Sequence, residues 1–249
     1  MSNSESCVTM KSRVCSCFVT VILTFATSVQ ADDRGTLIFE DSFDRVESQE
    51  TTDEIGKGWG SNSKSRAKGN KQVDLKDGAM YIKLHPAADH AVSVTHPVEF
   101  KDGSVEMRFM LEDAKDSLGL DFADLQFKEV HAGHLFKVDF SAKYAQINDM
   151  KTGNMNMKFY DAKKAKTLTG EQKKFLGTTT RKFPSNISIG EWHTLWVTIN
   201  GDTVVASVDG KEVGSFTSAG FAHPTKRMLR LSVPKNAVVD DVKIWAKSK

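Results

Sequence analysis

The sequence predicts an all-β fold, a two-sheet antiparallel β-sandwich carrying one short helical, basic insertion. Three observations lead there. Downstream of Asp32, short stretches alternate apolar and polar residues with period two, as half-buried strands do. Turn pairs punctuate them, notably Asp77-Gly78, Asn200-Gly201 and Asp209-Gly210. A dozen or so such strands with almost no helical periodicity require two packed sheets to bury their apolar faces.

In chain order, Thr36 to Phe43 reads as the first strand, followed by a polar loop from Arg45 to Lys71. Gln72 to Leu75 and Ala79 to Leu84 flank Lys76-Asp77-Gly78 as a hairpin. Ala91 to Val98 alternates, and Gly103 to Leu111 places Val105, Met107, Phe109 and Leu111 on one face. Further strands are expected at Gly119–Ala123, Leu135–Ser141, Tyr144–Asn148 and Met155–Tyr160. Trp192 to Ile199 and Thr203 to Val208 form a second hairpin, a short strand ends near Phe216, and Met228–Val233 and Val239–Trp245 close the domain. Between Lys158 and Lys182, eight Lys/Arg residues face only Asp161 and Glu171. There Thr169 and Gln172 have capping-box spacing, so this segment reads as a loop insertion with a short helix near Gln172–Leu176.

The first 31 residues read as a secretory signal. Lys11 and Arg13 precede an uncharged apolar stretch from Val14 to about Val29, which ends in Val29-Gln30-Ala31 before Asp32 and Asp33. That stretch is short and diluted by Thr and Ser for a permanent membrane span. The mature domain is then 32–249, secreted or periplasmic, with no later run that crosses a bilayer. All three cysteines, Cys7, Cys15 and Cys17, lie in the signal. The mature chain would therefore form no disulfide, thiolate nucleophile or zinc–thiolate site. Its formal charge of +1 carries no footprint for nucleic acid.

Gly190-Glu191-Trp192-His193-Thr194-Leu195-Trp196-Val197, together with Val208-Asp209-Gly210-Lys211-Glu212-Val213, resembles a hairpin of concanavalin-like and laminin-G-like jelly rolls. Val239-Asp240-Asp241-Val242-Lys243-Ile244-Trp245 is similar to their final strand. The stretches from Val73 to Tyr81 and from Phe100 to Phe109 resemble the opening sheet of the secreted 3-keto-disaccharide hydrolase-like family. Together they span the domain and cover about a third of it. These framework motifs speak for fold far more than for activity. The E-x-D-x-x-E strand of laminarinase-like hydrolases is absent, as are the R-x-E-x-R and Q-I-H strands of alginate lyase-like proteins. No cofactor is evident. The resemblance to laminin-G-like folds implies a calcium ion only by analogy, since Asp32-Asp33 and Asp240-Asp241 lack EF-hand spacing. Within the hairpin strand, alternation puts Trp192, Thr194 and Trp196 opposite His193, Leu195 and Val197, as on a strand covered on both sides.

Three constellations carry chemistry. His131 and His134 converge only if Ala132-Gly133 turns the chain; with Asp124 they would supply proton transfer or a metal pair, against the plainer reading of loop-tip histidines. Lys64, Arg66, Lys68 and Lys71 follow Trp59, a pattern suited to a sugar ring stacked on indole with anionic groups held by cations, against a solvated polar loop. His223 and Lys226 precede the penultimate strand and would line the same cleft, against an ordinary connecting loop. Two functions follow. One is recognition of an extracellular, anionic glycan; the other is cleavage of a saccharide through His131 and His134.

Overall fold

The computed structural model describes Met1 and residues 34–248. The expected signal therefore lies outside the described residues, apart from Met1.

Among the described residues there are fifteen strands. They are β1 (Thr36–Asp41), β2 (Gly60–Ser61), β3 (Val73–Lys76), β4 (Ala79–Lys83), β5 (Val92–Phe100), β6 (Gly103–Met110), β7 (Ser117–Ala123), β8 (His134–Ser141), β9 (Tyr144–Asp149), β10 (Thr180–Pro184), β11 (His193–Asn200), β12 (Thr203–Val208), β13 (Lys211–Thr217), β14 (Lys226–Val233) and β15 (Asn236–Ala246). Three helices join them: α1 (Ser63–Arg66), α2 (Met157–Lys164) and α3 (Gly170–Thr178).

The first sheet runs β13-β12-β11-β6-β15-β4-β3, with β1 also paired to β15; the second runs β10-β9-β8-β7-β14-β5-β2. All the named pairings are antiparallel. Between the sheets, Val105, Met107 and Phe109 of β6 and Leu195, Val197 and Ile199 of β11 are fully buried. Facing them are Leu118, Leu120 and Phe122 of β7 and Phe136, Val138 and Phe140 of β8. Phe109 meets Phe140 across the interior at 6.0 Å, and Phe122 stacks on Phe136 at 4.6 Å. Each such side chain contributes about 1.5–3 kcal/mol by leaving water. At the β3–β4 turn, Asp77 and Gly78 both take positive φ (53° and 69°), which a two-residue hairpin matched to the strand twist requires.

Two expectations need correction. Met155–Tyr160 is not a strand: Asn156 caps α2, its side chain accepting from Lys158 N–H, and the segment continues as helix. Met155, Met157 and Phe159 mimic period two over too few residues to separate it from 3.6. Among the described residues, the outer face of β11 also lacks a second covering layer. Instead Trp196 stacks on Trp245 at 5.1 Å, and the Arg34 guanidinium lies 4.8 and 5.4 Å from the two ring centres. Among the described residues, no helix is long and apolar enough to cross a membrane.

Candidate functional site

On the second sheet, the outward positions of β7, β8 and β14 hold a row of charges. Alternation sends Leu120 and Phe122 inward and Asp121 outward on β7, Val138 inward and Lys137 and Asp139 outward on β8, and Leu229 and Leu231 inward and Arg230 outward on β14. Register then sets the rows. Asp121 pairs with Arg230 on one side and Lys137 on the other; Gly119 pairs with Ser232 and Asp139. The rows continue onto β9 through Lys137–Asn148 and Asp139–Gln146. The side chains of Asp121 and Arg230 are only 5% and 11% exposed, so charge is held here largely out of water.

At the end of β8, His134 reaches back into this row. Its Nδ1 lies 2.5 Å from Asp121 Oδ2, while Arg230 Nη1 lies 3.0 Å from the same nitrogen and Nη2 donates to Ala132 O at 2.7 Å. An Nδ1–H donated to the Asp121 carboxylate would leave Nε2 as the proton acceptor, with Arg230 Nη1 3.5 Å from it. Asp121 Oδ1 is buried and has no hydrogen-bond partner among the described residues. Such a group costs folding free energy unless a ligand or water satisfies it. Lys137 Nζ is 2.8 Å from Asp139 Oδ1. Burial nevertheless pushes the Asp139 carboxyl above the usual carboxylate range, and the Asp121 charge adds to that, against the attraction of Lys137. Gly119 makes room for both, since a Cβ there would sit 2.6 Å from Asp139 Oδ1.

The turn that the two histidines require is present. Ala132 and Gly133 take φ of 50° and 73°. Gly133 is packed so closely that a Cβ would come within 2.6 Å of Asp124 O. His131 then stacks flat on Tyr160 of α2, centres 3.9 Å apart and planes 9° apart. Burial lowers its pKa, and His134 and Lys164 lower it further.

The remaining sequence candidates are distributed differently. Asp124 joins His223 (3.1 Å) and Arg227 (3.0 Å) instead of His134. This second Asp–His–Arg set is buried at the end of β7, and His223 Nδ1 in it has no partner. Lys226 is fully buried and donates to the carbonyls of Lys101, Phe221 and His223, so it ties loops together and meets no solvent. Trp59 is 7% exposed and surrounded by Phe39, Phe43 and His96, with its indole N–H on Asp41; no ring face remains for a sugar. Lys64 and Arg66 lie on α1, beside β2 at one edge of the second sheet, with Arg66 3.6 Å from Asp89. Lys71 instead sits among Glu47 (2.7 Å), Glu50 (2.9 Å) and Asp74 (2.7 Å). Burial works against its charge, but these three carboxylates outweigh that and raise its pKa. Sequence reasoning passed over Lys137, Asp139 and Arg230, because outward charges on a strand look like an ordinary wet face until register is known.

Of the two acidic pairs noted in the sequence, Asp32-Asp33 lies outside the described residues. Asp240 is engaged by Arg108 at 2.8 Å, with Asp241 3.7 Å from the same guanidinium. Among the described residues, the one acidic or histidine trio whose donor atoms lie within 4.8 Å of one another is Glu47, Glu50 and Asp74. The Lys71 ammonium holds its centre.

Known structures share this architecture. A laminarinase from Rhodothermus marinus superposes with a TM-score of 0.59 at 11% identity, covering 86% of this chain and 98% of its own. A laminarinase from Flavobacterium sp. UMI-01 gives 0.54 at 12%, covering 84% and 100%. A Bacillus subtilis protein of unknown function with a galectin-like fold gives 0.54 at 11%, covering 86% and 99%. The fold is a concanavalin-like jelly roll. No family model and no curated protein sequence matches the chain, so the narrower resemblance to 3-keto-disaccharide hydrolases has no such match behind it. At these identities the likeness speaks for fold alone.

Proposed function

We propose that the protein is exported, binds an anionic saccharide across the outer face of its second sheet, and cleaves it by proton transfer. The observation that carries this is the Asp121–His134 pair beside Asp139. One group is oriented to accept a proton, and a neighbouring carboxyl is pushed towards its protonated form. His134 Nε2 takes a proton from the attacking water in hydrolysis, or from a carbon next to a carbonyl in elimination. Asp139 gives its proton to the departing glycosidic oxygen as the C–O bond breaks. The solved laminarinases with this fold act on glycans, which favours a saccharide over other substrates. Anionic character is supported by basic segments at both edges of the sheet, Lys64 and Arg66 at the β2 edge and the 158–182 insertion at the β10 edge.

The test is product release from a polysaccharide panel that includes sulfated and uronic types. His134→Ala and Asp139→Asn should each lower turnover by about 10²–10⁴ while glycan binding survives. Because Asp139 must be protonated, the wild-type rate falls as pH rises through its raised pKa, and that limb disappears with Asp139→Asn. Turnover that persists in both variants rejects the mechanism. Binding without any product from the wild type would leave a recognition domain.

A further inference from the structure

We infer that the pocket between α2 and the 154–155 turn is a subsite for the anionic group of the saccharide, a sulfate ester or a uronate carboxylate. This rests on the saccharide reading of the neighbouring face and names which part of the ligand is charged. The pocket has a volume of about 300 Å³ and is lined by Asn154, Met155, Tyr160, Lys163 and Lys164. Two ammonium groups at one mouth favour an anion, and Lys makes a point-charge partner for sulfate or carboxylate.

Three further observations connect it to the charged row. Tyr160, a wall of the pocket, stacks on His131, immediately before the Ala132-Gly133 turn into His134. Lys164 is close enough to His131 to disfavour its protonation. The insertion is pinned against this end of the sheet by backbone bonds, Met157 N–H to Glu129 O at 2.9 Å and His131 N–H to Met155 O at 2.8 Å. Asn154 Oδ1, on the wall of the same pocket, is a buried acceptor with no partner among the described residues, so it suits a hydroxyl of the sugar and not its anionic group.

The helices themselves explain why the lysines are there. Neither α2 nor α3 buries a residue, and Phe159 stacks on Phe175 at 5.5 Å as their mutual contact. A segment that contributes so little to the interior is retained at a cost in ordering. Its placement of cations beside the charged row gives it a use.

The experiment is an NMR titration of the His131 ring in the full-length mature chain with glucose 6-sulfate, glucuronate and glucose as probes. An anion beside Lys163 and Lys164 cancels their repulsion, so the His131 pKa rises with one or both charged sugars and stays put with glucose. Which charged sugar acts distinguishes sulfate from carboxylate. In the Lys163→Gln/Lys164→Gln double variant, whose changes sit on exposed helix surface, that response is lost and affinity for the active probe weakens at least about tenfold. No rise with either charged sugar, or a rise that survives in the double variant, overturns the subsite. Turnover plays no part in the readout, so the subsite can fail while His134-dependent cleavage stands, and the reverse.

Discussion

The two sheets solve the same problem on their outer faces in opposite ways. On the first sheet, outward positions of β11 and β15 carry Trp196 and Trp245, stacked on each other with Arg34 across them, and Trp196 N–H closes on Thr198 Oγ1 at 2.7 Å. Trp192 nearby lies under Arg108, 4.6 Å from ring centre to guanidinium. On the second sheet, the corresponding positions carry Arg230, Asp121, Lys137 and Asp139, little exposed and incompletely partnered. The first arrangement is chemically closed and contributes to stability. The second holds charge out of water at a folding cost, which natural sequences tend to accept where a ligand or reaction uses it.

The largest expected effect separates the faces most sharply. Asp121→Asn keeps the side chain's shape but removes the acceptor that holds the His134 proton on Nδ1, so turnover should fall on the order of 10²–10⁴. Stability should fall modestly, since the little-exposed Arg230 guanidinium and His134 lose their anionic partner. Parallel measurement of turnover and denaturant unfolding checks both halves. Unfolding at much lower denaturant, with turnover intact, would make the charged row a structural device like its counterpart.

Burial alone does not mark a site, and Lys226 shows why. It is more deeply buried than Asp121, yet three backbone carbonyls accept from its ammonium. Burial pushes its pKa down to about 8 from the ordinary 10.5; Lys101 and Lys151 act the same way, and Asp102 opposes them. Between those values the unfolded chain binds more protons than the folded one, so stability climbs as pH rises from about 8 to 10.5. The group accounts for no more than about 3 kcal/mol of that climb. Thermal melts across this window should show a rise in wild type that Lys226→Met lacks. At neutral pH the same variant should melt several degrees lower, because three carbonyls lose their donor. Matching pH slopes in the two proteins would mean the ammonium keeps its ordinary affinity for the proton.

How far the sequence could be read follows the same division. Strands and hairpins were legible because their signals are local: alternation in Gly103–Leu111, and Asp-Gly or Asn-Gly steps at the turns. The Ala132-Gly133 turn that brings His134 back towards the sheet was legible. The histidine's partner was not, because Asp121 on β7 and Asp124 just past its end stand three apart, and only the tertiary fold shows that the first meets His134 and the second His223. Trp59 and Lys71 looked like ligand-facing residues in a polar loop. Asp41 and the Glu47/Glu50/Asp74 trio, distant in sequence, engage them. Pairings of that kind depend on tertiary folding and leave no periodic trace.

The smallest expected effect lies on the closed face. Trp196→Ala removes one ring of a stacked pair, worth about 0.5–1.5 kcal/mol beyond its buried area. It also removes part of the surface under Arg34, worth about another 0.5–1 kcal/mol at a wet site. Together these come to about 1–2.5 kcal/mol before the lost apolar area is added, which should lower the melting temperature by several degrees. Trp196→Phe, which restores a ring without the indole N–H to Thr198, should recover part of that. Turnover should not change, since β11 lies in the other sheet from the His134 row. Melting curves and turnover for both variants check this. If Trp196→Ala instead cost turnover and left the melt unmoved, the aromatic pair would be the working surface, and the assignment of roles to the two faces would have to be exchanged.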